Sequence, residues 1–499
     1  MTTTSTISNR GKWMALIAAL LGWLFDGFEM GLFPLAGKAA LADLLARGAT
    51  AGMTAQEVAA IKEAAAVDAG QWFSVIMAMF LIGAATGGVV FGWLGDKLGR
   101  VRAMALSIFT YAIFSGLCGL ATEAWHVAVL RFIASLGMGG EWSLGVALIT
   151  EIWPGKSRAF IAGLIGAAAN VGFLLVGVIS ILLRTYLPAD AEFPWRWLMI
   201  SGAAPALLVF FIRLFVPESE RWLDEKKKGS TTHWATRDLI GVLVGCAAAT
   251  GVVAVWSPLI RVGLPVQIPV TLVGVAIALV CYMYPVWRYL QRADASSIAA
   301  GGQAISTSGD HGSTIRRLLF GASLTGVALL GTWGTIQWIP RWTSSLIEGG
   351  KGPAFGIEYA SMMLAGGAIV GTILAALIAD KIGRRITYAL MCVGSLAICQ
   401  ILFRDDMTYG WGFLWLVCLS GAITAAFYGF FPFYLPELFR TRVRATSQGF
   451  AFNFGRVLAA IGGLQTATLA SAFGSFAKAG ATLAFIYLVG VVIVWFGPE

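Results

Sequence analysis

The chain has 499 residues, of which 58% are hydrophobic and only 12% are charged. A soluble domain normally carries about twice that share of charged residues, so the composition argues against a soluble globular protein. The formal net charge is +9, which in other proteins suggests a nucleic-acid or acidic partner. Here the basic residues lie mainly between apolar runs, so membrane topology explains the charge and no nucleic-acid partner is expected.

Apolar runs near 20 residues long recur along the chain, and each can cross a hydrocarbon core about 30 Å thick. Met1–Asn9 is polar and no small-residue cleavage site follows the first run, which we therefore expect to be retained as a span. Hydrophobic runs between charged breaks predict fourteen transmembrane helices and an all-α polytopic membrane protein. The predicted spans are 13–36, 70–94, 101–121, 125–150, 159–183, 196–216, 238–256, 266–288, 316–339, 357–379, 386–403, 409–433, 446–471 and 475–496.

The lysines and arginines between these spans are unevenly distributed. When the N terminus is placed inside, most of them fall in the segments on that same side of the membrane. Cytoplasmic loops of membrane proteins carry an excess of Lys and Arg. The sequence therefore predicts that both termini are cytoplasmic.

A short charged motif occurs twice, each time after a long apolar run. Gly95–Arg100 reads GDKLGR, and Ala379–Arg384 reads ADKIGR. A second motif, a glutamate followed seven residues later by an arginine, also occurs twice: Glu151 with Arg158, and Glu437 with Arg444. Two motifs that repeat at nearly one offset indicate a duplicated membrane half, which is how many transporters are built.

The repeat also predicts the domain organisation. If each half has six spans, the seventh and eighth spans are a pair inserted between the halves. A two-span insertion preserves the orientation of the second half. The predicted parts are an N-terminal six-helix bundle at 1–216, linkers with the two inserted helices at 217–315, and a C-terminal six-helix bundle at 316–499.

The repeated Asp-Lys-x-Gly-Arg turn resembles the signature loop of the major facilitator superfamily, and both halves match it. The resemblance implies two six-helix bundles and a cytoplasmic ion-pair network that holds the halves together in the outward-open state. Carried over by resemblance, this role falls on Asp96, Arg100, Asp380 and Arg384, with the partners Glu151, Arg158, Glu437 and Arg444. The alternative is that these charges only anchor the topology.

Other segments resemble particular branches of that superfamily. Pro217–Leu223 (PESERWL) resembles the segment that closes the sixth helix of sugar porters, which however place Pro and Tyr where this chain has Val146 and Leu148. Gly22–Glu29 and Gly137–Trp142 resemble bacterial sialic acid and metabolite:proton symporters. This resemblance implies a bacterial inner-membrane protein, and we expect a monomer. The Gly-Pro motif of drug:proton antiporters is missing from the fifth span.

Ionisable residues inside spans cost at least about 2.5–3.5 kcal/mol, so each requires a reason. Asp26 and Glu29 are three residues apart on the first span and share one face. The depth of Arg131 in the fourth span permits an ion pair with either carboxylate. In the related branches, such a pair couples proton uptake to opening. Asp26 is therefore the preferred proton carrier and Glu29 the second, and the alternative is a static ion pair.

Glu141 and Arg456 lie at similar depths in spans four and thirteen, about 15 Å from the inner end. A buried guanidinium can bind a carboxylate bidentately, so Arg456 is a candidate anchor for an anionic substrate, with Asn453 one turn away. The alternative is a permanent Glu141–Arg456 bridge. Further polar and aromatic residues are candidates for lining the cavity: Asn170, Trp333, Gln337 and Tyr428.

These observations predict a secondary transporter that imports a small organic anion, such as a monocarboxylate or sugar acid, with protons. No nucleotide-binding Gly-x4-Gly-Lys-Ser/Thr motif occurs, so an ion gradient is the expected energy source. The alternatives are a neutral-sugar symporter, a drug:proton antiporter and a metabolite-sensing transceptor. No enzyme activity, cofactor or metal site is expected. The expected partners are the substrate, protons and the lipid bilayer.

Overall fold

The computed structural model describes residues 8–46, 53–153, 157–186, 194–260, 262–299, 310–347 and 353–498. Within these ranges, the first part of the chain forms seven α-helices: α1 (Asn9–Leu45), α2 (Ala55–Leu98), α3 (Arg100–Leu117), α4 (Ala124–Ile152), α5 (Arg158–Tyr186), α6 (Pro194–Ser201) and α7 (Ala206–Phe215). A connecting part follows, with α8 (Glu220–Lys227), α9 (Leu239–Trp256) and α10 (Leu264–Ala299).

The last part of the chain is also helical. Its helices are α11 (Asp310–Gly334), α12 (Ile339–Ile347), α13 (Gly356–Ile382), α14 (Arg384–Leu402), α15 (Trp411–Thr424), α16 (Ala426–Leu438), α17 (Arg444–Asn453), α18 (Gly455–Leu464), α19 (Thr466–Phe473), α20 (Phe476–Leu483) and α21 (Ile486–Ile493). Below, the first half means α1–α7 and the second half means α11–α21.

Glycine sets the turns in both copies of the repeated motif. Gly99 ends α2 with φ +115°, and Gly383 ends α13 with φ +91°. Side chains disfavour this left-handed region, so glycine lets the next helix begin one residue later. The duplication is therefore visible in the backbone. The end of the bundle that carries these two turns is called the motif face, and the other end the opposite face.

Within the described ranges, twelve helical segments are long and apolar enough to cross a membrane. The predicted count of fourteen is wrong by this measure, and the two predicted spans that are not among the twelve are both interrupted. The stretch 196–216 is split into α6 and α7, with Pro205 at the break. The stretch 446–471 is split into α17, α18 and most of α19. Each piece is shorter than the roughly 20 residues of a full crossing.

The first two helices are longer than predicted. α1 continues to Leu45, and α2 starts at Ala55 with a capping box between Thr54 and Glu57. The Thr54 side chain accepts from the Glu57 backbone N–H, and the Glu57 carboxylate accepts from the Thr54 backbone N–H at 2.7 Å. This reciprocal bonding satisfies donors that a helix start leaves free. The polar stretches 37–45 and 55–68 therefore extend the two helices.

Small residues let the helices of the first half approach closely. A Cβ at Gly27 would lie 1.8 Å from the Ala169 carbonyl oxygen, so only glycine fits where α1 crosses α5. Such small-residue crossings are typical of membrane helices, which associate by close packing. Between the halves, α2 packs against α17 and α18, and α5 packs against α13 and α16. The central cavity described below lies between these contacts.

The α9–α10 hairpin contacts both halves. α9 packs against α2 and α18, and α10 contacts α17. The Tyr282 and Thr86 hydroxyls are 2.8 Å apart, and Gln465 donates to the Trp256 carbonyl at 2.9 Å. The hairpin thus bridges one side of the two-bundle structure.

Candidate functional site

The first copy of the motif forms a buried ion-pair cluster on the motif face. A guanidinium nitrogen of Arg100 lies 2.8 Å from Asp96 Oδ1, and the other lies 3.2 Å from Glu151 Oε1. Arg444 of the second half approaches the same Glu151 oxygen at 3.1 Å. Glu151 therefore binds arginines from both halves. Burial makes such a cluster costly to break by removal of one partner.

Asp96 also caps a helix of the second half. Its carboxylate accepts from the Ala445 N–H at 3.3 Å, and from the Thr446 N–H at 2.9 Å and hydroxyl at 2.6 Å. These groups are at the start of α17, where the helix dipole favours a negative charge. Arg100 adds a bond to the Thr441 carbonyl at 2.8 Å. The motif thus joins the halves through backbone as well as side chains.

The linker after α7 completes this cluster. Glu218 accepts from the backbone N–H groups of Arg100 at 2.9 Å and Val101 at 3.2 Å, which caps α3. Burial raises the pKa of the Glu218 carboxyl. The Trp222 indole donates to the Asp96 carbonyl at 2.9 Å. The Pro217–Leu223 segment therefore stabilises the α2–α3 turn.

The second copy of the motif is less buried and is built differently. Glu437 lies 3.2 Å from Arg158 of the first half and 3.0 Å from Arg384. Asp380 is exposed and lies outside these ion pairs. Asp380 therefore lies outside the ion-pair network that the resemblance predicts for it, and the Arg384 guanidinium pairs with Glu437 instead. The two copies share sequence but not contacts.

Within the bundle, Glu29 is the partner of Arg131. Their oxygen and nitrogen are 2.5 Å apart, and Ser115 donates to the same oxygen at 2.6 Å. The Arg131 guanidinium also lies over the Phe80 ring, 4.6 Å from its centroid. The structure thus selects Glu29 from the two carboxylates that the depth of Arg131 permitted.

Asp26 has no such partner. Its side chain is buried, and Oδ1 has no hydrogen-bond partner among the described residues. It lies on the wall of the central cavity. A buried polar atom without a partner costs free energy, which points to a ligand or a proton at this position.

Glu141 and Arg456 do not pair. The Arg456 guanidinium contacts Met138 Sδ at 3.6 Å and lies over the Phe452 ring, and the carboxylate with the strongest electrostatic interaction is Asp26. Glu141 points toward α1, where a Cβ at Gly22 would lie 1.9 Å from its Oε1. The predicted alternative of a Glu141–Arg456 bridge is therefore wrong. The two residues lie at similar depths, but their side chains do not point toward each other.

Asn453 holds the two halves together. Its amide donates to the Gly139 carbonyl of α4 at 3.0 Å and to the Gly449 carbonyl in its own helix at 2.9 Å. Its Oδ1 has no hydrogen-bond partner in the part of the chain that the structure describes. Asn453, Glu141 and Arg456 all lie outside the lining of the central cavity.

The central cavity has a volume of about 100 Å³ and is lined by both halves. Five predicted residues line it: Asp26, Asn170, Trp333, Gln337 and Tyr428. The walls are otherwise mainly apolar, with a few polar groups, as is usual for small-molecule sites. The structure therefore brings together the amide and aromatic candidates and one carboxylate.

A stacked aromatic pair that the sequence did not single out borders this cavity. The rings of Trp142 in α4 and Phe452 in α17 are 3.7 Å apart and nearly parallel at 5°. Trp142 lies ten residues before the end of α4, and Phe452 is the ninth residue of α17, so the pair lies on the wall of the cavity toward the motif face. The sequence feature that could have indicated this pair is the aromatic residue in the Gly-rich run Gly137–Trp142.

A second cavity, here called the outer cavity, leads from the central cavity toward the opposite face. Its volume is about 230 Å³, and it shares Trp333 and Gln337 with the central cavity. Its charged lining residues are Lys38 and Arg341, and no Asp or Glu is among the described residues that line it. A third cavity of about 60 Å³, which contacts Asn170 and Gln337, lies between the two.

One ion pair connects the halves beyond the outer cavity. Arg184 of α5 lies 2.5 Å from Glu358 of α13, and Ser180 donates to the same carboxylate oxygen at 3.3 Å. The Arg184 guanidinium also lies over the Phe355 ring, 5.0 Å from its centroid. The halves are thus joined at both faces, by a buried cluster on the motif face and by one half-exposed arginine on the other.

Comparisons with known proteins agree with this architecture. The sequence model of a family described as "Sugar (and other) transporter" matches residues 14–242. A Haemophilus influenzae protein named for metabolite transport is 26% identical over 498 residues, which cover 99% of this chain and 97% of that protein. A cis,cis-muconate transport protein of Acinetobacter baylyi is 27% identical over 393 residues, covering 78% and 76% of the two chains.

Solved structures show the same fold. The proton:xylose symporter XylE, bound to 6-bromo-6-deoxy-D-glucose, superposes with a TM-score of 0.66 at 16% identity. The match covers 97% of this chain and 95% of that one. It confirms the predicted fold class, with two helical bundles around a central cavity.

Proposed function

We propose that this chain, which is a sugar-porter-like transporter of the major facilitator superfamily, imports a small organic anion with protons by alternating access. The motif face would be cytoplasmic, as the distribution of basic residues predicts. With the motif face joined and the cavities leading toward the opposite face, the transporter would receive substrate from outside when the Arg184–Glu358 pair opens.

The charge of the outer cavity carries the proposal. Lys38 and Arg341 line it, and no carboxylate does among its described lining residues. A cleft lined by one sign of charge raises the local concentration of ions of the other sign. An anion would therefore be drawn inward to the amides of Asn170 and Gln337, which can donate hydrogen bonds to a carboxylate.

The muconate transport protein supports the same substrate class. Muconate is a dicarboxylate, and the match to that protein covers more than three quarters of this chain. The departure from sugar porters at Val146 and Leu148 points the same way. A carboxylate of a few carbon atoms fits a central cavity that is small and has aromatic walls.

Asp26 is the proposed site of proton coupling. It lines the central cavity, and the charge that interacts with it most strongly is Arg456. A proton on Asp26 would leave the positive charge of Arg456 uncompensated, which favours an anion in the cavity. Loss of that proton would restore the Asp26–Arg456 attraction and favour release. Proton and anion would thus bind together by mutual electrostatic benefit.

Glu29 and Arg131 have a supporting role in this proposal. Their ion pair neutralises both charges next to Asp26 and leaves Asp26 as the carboxylate that faces the cavity. An ionised carboxylate without a partner is expensive in a membrane, so a proton is the simplest compensation for Asp26. Glu29 remains the second candidate because it is three residues away on the same helix.

Uptake into proteoliposomes under an imposed pH gradient tests the proposal. The panel contains muconate, short monocarboxylates, sialic acid and the neutral sugar xylose. Uphill accumulation of at least one carboxylate, abolished by an uncoupler, is the expected result. Accumulation of xylose with no carboxylate transported would overturn the anion assignment, and uptake insensitive to the pH gradient would overturn the proton assignment.

A further inference from the structure

A further cavity lies on the motif face, apart from the central and outer cavities. It is a cavity of about 530 Å³ whose lining includes two glutamates, Glu225 and Glu437, and six arginines. The arginines are Arg158, Arg221, Arg317, Arg440, Arg442 and Arg444. Its volume is in the usual range for small-molecule sites. The positive charge in it greatly exceeds the negative charge.

Several of these guanidinium groups keep unused donors. Arg221 is exposed and forms no ion pair with a described residue. Arg317 donates to the Leu438 carbonyl at 3.0 Å and likewise has no carboxylate partner within the described ranges. Arg158 pairs with Glu437, yet its buried Nε reaches no acceptor there. The cavity therefore offers both uncompensated charge and free N–H groups.

The residue type and shape distinguish this cavity from an ordinary solvated basic surface. Topology alone requires only positive charge, which lysine supplies equally well. All six basic residues here are arginines around one concavity, whereas exposed lysines such as Lys227 and Lys228 lie outside its lining. Arginine presents a planar set of donors that binds phosphate oxygens bidentately.

We propose that this cavity binds a compact phosphorylated anion with two or more negative charges, and that binding holds the motif face closed. The cavity wall comes from both halves, with Arg158 on α5 and Arg317 on α11. An anion that contacts both would have to lose contacts when the halves separate. It therefore favours the closed motif face by its difference in affinity for the two states.

The regulatory part rests on the proposed function, because it assumes that opening of the motif face completes the transport cycle. If the motif face is cytoplasmic, a phosphorylated product of cytoplasmic metabolism would slow further uptake. Binding itself does not depend on the transported solute. A binding measurement therefore fails or succeeds independently of the uptake assay.

Isothermal titration of the purified full-length protein with inorganic pyrophosphate tests the site. Nanodiscs of phosphatidylcholine remove competing anionic headgroups. We expect binding that weakens with salt, and at least a tenfold higher Kd for the double variant Arg221→Gln/Arg317→Gln. Both side chains lie outside the ion-pair clusters, so the fold should persist. Thermal unfolding of that variant checks this.

The matched control is Lys227→Gln/Lys381→Gln, which removes two exposed positive charges from the same face outside the cavity. Its Kd should stay within about twofold of the unmodified protein. Equal Kd values for the two double variants would overturn the proposal, as would absence of pyrophosphate binding at millimolar concentration. Pyrophosphate trapped inside proteoliposomes should also slow uptake by the unmodified protein, and an unchanged rate would overturn the regulatory part.

The phosphate group that binds this cavity could belong to a soluble anion or to a lipid headgroup, and a change of lipid distinguishes the two. Nanodiscs that contain phosphatidylglycerol present a lipid headgroup at the same membrane surface. If pyrophosphate binding is lost in them, a singly charged lipid phosphate occupies the cavity, and the requirement for two or more negative charges is overturned. If it is retained, the ligand is a soluble phosphorylated anion. Either outcome supports a phosphate site, provided that Arg221→Gln/Arg317→Gln weakens binding.

Discussion

The carboxylate of Asp96 accepts two hydrogen bonds from Thr446, one from its backbone N–H at 2.9 Å and one from its hydroxyl at 2.6 Å. Asp96 lies in the last turn of a helix of the first half, and Thr446 lies in the first turn of a helix of the second half. One charged residue thus serves as a helix cap across the interface between the halves. A conformational change that separates them must leave the start of α17 uncapped.

Asp96→Asn should therefore weaken the closed motif face. A charge-assisted cap and an ion pair to Arg100 are lost together, which costs roughly 1.5–3 kcal/mol. We expect net uptake to fall at least tenfold, as measured in proteoliposomes. Asp380→Asn is the matched control from the other motif copy, because Asp380 is exposed. Uptake by Asp380→Asn should stay within about twofold of the unmodified protein. Equal losses of uptake in both variants would contradict the different roles of the two motif copies.

Asp26→Asn should separate coupling from translocation. The amide is nearly the same size as the acid but cannot release a proton, so uphill accumulation should be abolished. Exchange of labelled for unlabelled substrate should continue, because the cavity keeps its shape. The measurement compares accumulation under a pH gradient with exchange without one. Uphill uptake that persists in Asp26→Asn would remove Asp26 from the coupling step.

Glu29→Gln should affect stability more than Asp26→Asn does. It leaves the guanidinium of Arg131 buried without its carboxylate, and breaking a buried pair typically costs about 3–5 kcal/mol. Thermal unfolding in detergent should show a lower midpoint for Glu29→Gln. The double variant Glu29→Gln/Arg131→Met should recover part of the loss because no charge is left unpaired. No recovery would mean that the pair does not explain the destabilisation.

Trp142→Ala should open the motif side of the central cavity. The variant loses a stack with Phe452 that contributes about 0.5–1.5 kcal/mol beyond its buried area. We expect a slower uphill uptake and a faster dissipation of an imposed substrate gradient. Trp142→Phe keeps a ring at this position and is the control. Identical leak rates in the two variants would show that the ring does not close the cavity.

Glu358→Gln should favour opening at the opposite face. The ion pair with Arg184 is the described charge pair that joins α5 and α13 there. Arg184 is half-exposed, so the contribution should be about 1 kcal/mol or less, and smaller at high salt. The expected result is a severalfold change in the initial rate of substrate binding, measured by stopped-flow quenching of tryptophan fluorescence. The control is Arg404→Gln, which removes an exposed ion pair with Asp406 inside one loop.

The sequence identified the fold and most of the motif-face cluster because charged turns that repeat after apolar runs at nearly one offset indicate a duplicated membrane half. It placed Asn170, Gln337, Trp333 and Tyr428 near one cavity because amides and aromatics in spans need a buried environment. The depth of a residue in the membrane can be counted along its helix, and this depth permitted two ion pairs for Arg131, one of them with Glu29. The direction in which a side chain points around the helix axis cannot be counted from the sequence in this way.

Rotation about the helix axis accounts for the incorrect predictions of side-chain pairing. Glu141 and Arg456 lie at the same depth but face different neighbours, and the close approach of Glu141 to Gly22 is a tertiary contact that no local pattern encodes. The Asp380 prediction failed for a related reason. The repeated sequence implies a repeated backbone turn, and the φ angles of both glycines confirm it. The side-chain contacts of each motif copy, however, depend on the helix that packs against it. Asp96 faces the start of α17, and Asp380 faces solvent.

The α9–α10 hairpin imposes a mechanical condition on any rocking of the two bundles. It is attached to the first half through Thr86 and Tyr282, and to the second half through Gln465 and Trp256. If the hairpin were rigid and stayed bonded to both halves, it would prevent the two bundles from moving relative to each other. In each cycle, therefore, one attachment must break and re-form or the hairpin must bend, and the weaker attachment determines which bundle carries the hairpin along.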